Sequence, residues 1–125
     1  MRVPNSVVHA MFDAIASGGP DREVGLSLTP ITAGEGGLSG VTEPVAASYA
    51  RVALPASDWA AAADRAVQAD TVVFADPVED WGVPVAYFLT DGAGVPEIPF
   101  VIRAKNVTAG SSALQVTPRI SSPLN

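Results

Sequence analysis

The spacing of apolar residues changes along this 125-residue chain, and each change marks an element. Near the start, Val8, Met11, Phe12 and Ile15 recur at i, i+3, i+4 and i+7, which is one apolar stripe on a helix. This predicts an amphipathic helix over 5–17, capped by Asn5 or Ser6 and stopped by Gly18-Gly19-Pro20. His9 and Asp13, four residues apart, fall on its wetter side. From residue 22 the period drops to two. Glu23–Leu28 alternates and is ended by Pro30; Ala46–Leu54 and Thr71–Phe74 read as further strands, with Asp76-Pro77 turning the latter. Val83–Thr90 is the most strand-like run, and Pro84 puts its start at an edge or bulge. Asp91-Gly92-Ala93-Gly94 reads as a hairpin turn whose glycines can take positive φ. Ile98–Ala104 is then the returning strand, Lys105–Ser112 a second turn region and Ala113–Ile120 a last strand.

Two stretches carry weaker signals. Residues 33–44, AGEGGLSGVTEP, have no period and read as a long surface loop. Residues 56–69, ASDWAAAADRAVQA, predict a short helical turn capped by Ser57-Asp58, in competition with a loop crossing the sheet and pinned by Trp59. One helix followed by about six short strands separated by Gly/Pro turns defines a mainly β fold class. The expectation is a single antiparallel β-sandwich or barrel-like domain with a short N-terminal α-helix. It spans 1–125, with the helix at 5–17, the β-rich body at 22–120 and a short tail at 121–125.

Composition narrows the function classes. Hydrophobic residues at 48% against 16% charged exclude global disorder, and a surface so poor in charge suits a protein packed against neighbours. The net charge is −6, and the seven Lys and Arg residues are scattered, so neither nucleic acid nor an anionic membrane is an expected partner. No apolar run approaches the roughly 18 residues of a spanning helix. The N-terminal apolar stretch is interrupted by His9 and Asp13 and lacks a small-residue cleavage site, so it is not expected to be a signal peptide. With no cysteine there is no disulfide, thiolate nucleophile or Cys-based zinc site.

Candidate chemistry was sought among the acids, the histidine and the glycines. His9 is the sole histidine; Ser6 and Asp13 flank it at helical spacing, but no G-x-S-x-G elbow accompanies them. Asp76, Glu79 and Asp80 crowd one turn with oxygen ligands of the kind calcium takes, yet the twelve-residue loop pattern is missing and a solvated turn is expected. Paired carboxylates across a sugar-binding cleft are not indicated, since only eight residues are aromatic. The stretch 34–40, GEGGLSG, lacks the Gly-Lys-Ser/Thr of a phosphate loop. No enzyme, cofactor or metal is therefore expected. Tyr49 and Arg51, two apart in a strand, project from one face, where Arg51 can stack on Tyr49, on Trp81 or on another chain. Trp81 is expected to anchor its turn onto the sheet, with Gly82 letting the chain bend beside the indole.

An ordered set of short motifs adds a family. Pro4-Asn5-Ser6 precedes the helix; Tyr49-Ala50-Arg51, Thr71-Val72-Val73-Phe74 and Asp80-Trp81-Gly82 follow, then an apolar strand ending at Asp91 and Val107-Thr108-Ala109-Gly110. In this order and spacing the chain resembles a group of small tailed-bacteriophage virion proteins, often labelled phage tail fibre or head-decoration proteins. It departs from them in EVGLSLTP, which lacks aromatics, and in a longer, Ala-rich stretch around 56–66. The resemblance implies a non-enzymatic virion component made in the host bacterial cytoplasm. Foremost is a decoration (cement) protein that clamps the major capsid protein on the outside of the head, as a homo-oligomer with a trimer favoured. The alternatives are a tail-tip or tail-fibre-base component and a host-surface binding module. Interface contacts are expected from residues 1–17 and 30–44, with Val8, Met11, Phe12, Tyr49, Arg51 and Trp81 as interface residues.

Overall fold

The structure is a computed structural model whose described residues are 4–121. Helix α1 spans Asn5–Ile15. Ten short strands follow: β1 Arg22–Ser27, β2 Thr32–Gly34, β3 Gly37–Ser39, β4 Val52–Leu54, β5 Ala66–Gln68, β6 Val72–Val73, β7 Ala86–Thr90, β8 Pro96–Val101, β9 Gln115–Val116 and β10 Arg119–Ser121. Every strand pairing is antiparallel. The strands form one four-stranded sheet, β4-β1-β7-β8, and the two-stranded ribbons β5–β10, β2–β3 and β6–β9; they do not close into a barrel. The small, mainly β domain with one short helix is what the periodicity predicts.

The strands are shorter and more numerous than the alternation suggests because prolines and local turns interrupt them. Ala113–Ile120 breaks at buried Pro118 into β9, which pairs with β6, and β10, which pairs with β5. Pro84 is buried, and β7 starts two residues after it as a fully buried central strand rather than an edge. β1 is also central and buries five of its six residues, so its alternation is lost. Its Gly25 lies opposite Phe88, where a Cβ would come within 2.3 Å of the ring. Val24, Leu26, Tyr87 and Leu89 face the main core, together with Leu54, Val67, Val72, Phe74, Val107 and Val116. At the end of β7, Asp91 turns the chain as predicted. Its carboxylate accepts from the amides of Ala93 and Val95, which hold its pKa below the ordinary 3.8. Of the two turn glycines, Gly94 takes positive φ.

Three segments depart from the sequence reading. The stretch 33–44 is no featureless loop; it contains the β2–β3 hairpin, closed by Glu35-Gly36. Ala46–Leu54 is strand only from Val52, so Tyr49 and Arg51 lie in an irregular approach to β4. The Ala-rich stretch 56–69 forms a short 3-10 turn, Ala56–Asp58, and then a hairpin, with Trp59 bridging Ala69 and Ala63 bridging Ala66. Asp64 and Arg65, both at left-handed φ (51° and 58°), make its turn; the expected helical turn is confined to Ala56–Asp58, and the rest is a hairpin with Trp59 buried at its base rather than a loop crossing the sheet.

Helix α1 ends at Ile15 rather than residue 17, and it is not capped by Asn5 or Ser6. Pro4 holds the N-cap position, its carbonyl accepting from the amides of Val7 and Val8. At the other end Arg22, whose side chain is 4% exposed, donates to the carbonyls of Ile15 and Thr90 and to the Glu97 carboxylate, tying the helix end to the sheet.

Candidate functional site

Tyr49 and Arg51, expected to project from one face of a strand, lie outside any strand and converge on Glu43. The Tyr49 hydroxyl donates to Glu43 Oε1 at 2.8 Å, while Arg51 Nε and Nη2 grip Glu43 Oε1 and Oε2 at 3.0 Å each. This is a bidentate guanidinium–carboxylate pair with a phenol attached. Arg51 Nη1 also donates to the Gly94 carbonyl at 2.7 Å and lies 3.6 Å from Glu23. The Arg51 guanidinium sits over the Phe88 ring, 5.2 Å from its centroid, and not on Trp81. The Tyr49 oxygen in turn accepts from the Leu26 amide at 2.9 Å, where β1 has run past the end of β4. A side chain thus supplies a ladder bond that no strand provides.

Charge stays fixed in this strap. Burial pulls the Glu43 carboxyl upward, but the hydrogen bonds from Arg51 and Tyr49 outweigh it and leave the pKa below the ordinary 4.5. Burial drives the Tyr49 phenol far above its ordinary value, with the Glu43 carboxylate adding to the shift. Glu43 likewise raises Arg51. Near neutral pH Glu43 stays a carboxylate while Tyr49 and Arg51 keep their protons, so the arrangement works as a clamp between residues 43, 51, 94 and strand β1.

Behind the clamp lies an aromatic kernel. Tyr49 stacks near Phe74 with centroids 6.3 Å apart, and Trp81 meets both rings edge-on at 5.4 and 6.5 Å. Trp81 is buried; its indole N–H donates to Ser48 Oγ at 2.8 Å, and its backbone N–H donates to the Val107 carbonyl. Val107 returns a bond to the Gly82 carbonyl. Gly82 has φ +100°, and a Cβ there would press on the Leu28 side chain at 3.3 Å. Of the acids of the preceding turn, Asp76 and Asp80 are exposed and Glu79 is half-buried. Glu79 accepts from the Ser48 amide and Asp80 from the Ala109 amide. Among the described residues no group of three or more His, Cys, Asp or Glu is placed to hold a metal ion.

The six expected interface residues do not share a surface. Val8, Phe12 and Trp81 are core residues, because the helix stripe and the indole found partners within the chain. Tyr49 is half-buried and Arg51 partly so, both engaged in the clamp. Met11, 58% exposed beside Val7, is the residue of the set that faces outward. His9 and Asp13 do not face water freely. His9 Nε2 accepts from the Arg65 amide and Asp13 Oδ1 from the Ala62 amide, so the helix holds the 59–69 hairpin, and Asn5 Oδ1 accepts from the Arg65 side chain. Residues 1–3 of the expected 1–17 contact segment, and 122–125 of the tail, lie outside the described residues; Ser121 ends β10.

Glu43 could be found from sequence only as an acid ahead of Pro44, a signal without specificity. The GEGGLSG stretch is the hairpin and leads into no helix, so its glycines cradle no phosphate at a helix start. A depression of about 250 Å³ lies between Ala60–Asp64 and Arg119. Among the described residues no helix is long and apolar enough to cross a membrane. Compared with protein families, curated proteins and solved structures, the chain matches none.

Proposed function

We propose that this chain is a non-enzymatic structural protein of a tailed-bacteriophage virion, a decoration protein that binds the major capsid protein on the outside of the assembled head. One observation carries the reading. Of the motifs behind the family resemblance, those between residues 49 and 110 meet in one packed unit, while Pro4-Asn5-Ser6 heads helix α1 outside it. Tyr49, Phe74 and Trp81 stack together, and Trp81-Gly82 exchanges backbone bonds with Val107. Such a set is a folding signature, and the step from it to a structural role rests on the family analogy. The clamp points the same way, since its charged groups lock loops to the sheet. A decoration protein stabilises a shell by binding the assembled form and not its separated parts. Many copies on a symmetric shell then multiply a modest contact.

Copy number tests the reading. Purified particles should carry this chain in hundreds of copies measured against the major capsid protein, and heads lacking it should release DNA at lower temperature. A few copies per particle would replace the head location with the tail-tip or fibre-base location. Deleting residues 1–17 is not a usable probe of the helix contact, because Val8, Phe12 and Ala16 belong to the core. Met11→Glu changes the exposed face alone and should weaken attachment to heads without lowering Tm.

A further inference from the structure

Two of the strand edges differ in one position that governs strand addition. On β8, the Ile102 amide donates to the Val85 carbonyl, and the register pairs Ala86 with Val101 and Phe88 with Pro99. Antiparallel pairs alternate, so if 85 and 102 exchange bonds, Val101 and Pro99 turn their backbone groups away from β7. The outward position at 99 is a proline and offers no N–H, which blocks a further strand there, while Val101 keeps its N–H at the strand's end. In the β2–β3 hairpin, the two-residue turn Glu35-Gly36 makes Gly34 and Gly37 the bonded pair, Ala33 and Leu38 the outward pair, and Thr32 and Ser39 bonded again. Ala33 therefore presents its N–H and C=O to the open side of β2, and no proline lies between Pro30 and Pro44.

The hairpin is largely exposed: in β2 and β3 only Leu38 is partly covered, and β3 runs close to β8 while β2 lies on the far side. A two-stranded ribbon of this size is not stable alone. Here its base is fastened. Leu28 donates to the Thr42 carbonyl, the Thr42 amide to Ser27 Oγ, the Thr29 hydroxyl to the Gly40 carbonyl, and Glu43 begins the clamp. A fixed base thus carries an open edge of small, uncharged residues, Thr32-Ala33-Gly34.

We infer that β2 is an assembly strand, which adds by backbone hydrogen bonds to an exposed sheet edge of a subunit in the phage shell; this rests on the decoration reading above. The occupant follows from size and charge. A second copy pairing along three residues falls far short of the roughly 1,000 Å² of a stable interface, and each copy carries −6. A repeating shell turns the same short contact into avid attachment, because each copy on an oligomer or lattice adds its own strand. Backbone bonds supply the affinity, and the small side chains let the neighbouring strand approach on either face.

The test transfers the guard of β8 to β2. Ala33→Pro removes the outward N–H and leaves the bonded pairs at 32 and 34 in place; Ala33→Thr keeps the N–H and suits a strand. Each purified variant is added to heads prepared without this chain, and the bound fraction is read by co-sedimentation. Ala33→Pro should lose attachment by about tenfold or more, with Ala33→Thr binding like wild type. Hydrogen exchange on the wild-type protein supplies a measurement free of any folding effect: amides in 29–41 should slow when heads are added. Equal binding by Ala33→Pro, or unchanged exchange in 29–41 on bound protein, overturns the strand-addition mechanism and leaves the decoration function standing. Failure of wild-type protein to bind heads overturns both.

Discussion

The aromatic body and the β2–β3 arm share one chain but are held by different forces. In the body, glycine is placed for packing: Gly25 leaves room for the Phe88 ring, and Tyr49, Phe74 and Trp81 fill the space between loops 46–51 and 74–82. In the arm, glycine is placed for backbone conformation, and a Cβ on Gly36 or Gly37 would meet nothing within 4 Å. The body is stabilised by area removed from water; the arm is secured by polar bonds at its base, by the Glu43 clamp and by the approach of β3 to β8. Substitutions in the body should therefore cost whole-protein stability, and substitutions in the arm should change local order and contacts.

The comparison is tested hardest at Trp81. Its indole packs on two rings and holds Ser48, so Trp81→Ala removes a large core side chain and strands the Ser48 hydroxyl. A loss of about 3–5 kcal/mol is expected, seen as a fall in the chemical denaturation midpoint. Trp81→Phe should recover a substantial part, because it restores ring packing without the N–H. A loss below about 1 kcal/mol for Trp81→Ala would remove the kernel from its central place.

Glu43 joins the two regions, and its removal comes next in size. Glu43→Gln keeps the shape but discharges the carboxylate that accepts from Tyr49 and twice from Arg51. About 1–2 kcal/mol should be lost at neutral pH, with faster hydrogen exchange through residues 40–51. Acid sharpens this. The folded pKa of Glu43 is depressed, so its contribution is complete above the ordinary 4.5 and is lost as pH falls through the folded value. The Tm gap between wild type and Glu43→Gln should therefore narrow when both are measured at about pH 3 instead of pH 7. A gap that stays constant would mean that the carboxylate's charge has no part in the clamp.

What the sequence disclosed depended on whether the deciding interaction was local. The helix stripe and the Asp91–Gly94 turn were legible because their chemistry sits within a few residues. Their partners were not. Val8 and Phe12 form the same apolar pattern whether they face a core or a partner chain, and only the position of β5 beneath α1 decides. Alanine propensity misled at 60–63 because Asp64 and Arg65 adopt left-handed φ there. His9, Asp13 and Asn5, some 50 to 60 residues away in sequence, hold the resulting turn. The β2–β3 hairpin was hidden because glycine contributes no side-chain period. Glu43 was hidden because a guanidinium–carboxylate pair across an irregular segment leaves no spacing to read. The Trp81-Gly82 pair before an apolar run marks a packing anchor and a bend, and burial and positive φ agree, but the same burial removes Trp81 from any interface.

The smallest expected effect lies within the arm and separates conformation from packing there. Gly36 and Gly37 are adjacent and equally open, but Gly37 holds φ +106°, which an L side chain rarely adopts. Gly36→Ala meets no neighbour and leaves an ordinary φ, so its Tm should stay within about a degree of wild type. Gly37→Ala should cost about 1 kcal/mol of local strain, paid as opening of the hairpin and not of the body. Exchange of the amides in 32–39 should accelerate while those of β1 and β7 remain as slow as in wild type. If β1 and β7 opened together with the hairpin, arm and body would be one cooperative unit, and the separation between a packed body and a conformationally placed arm would fail.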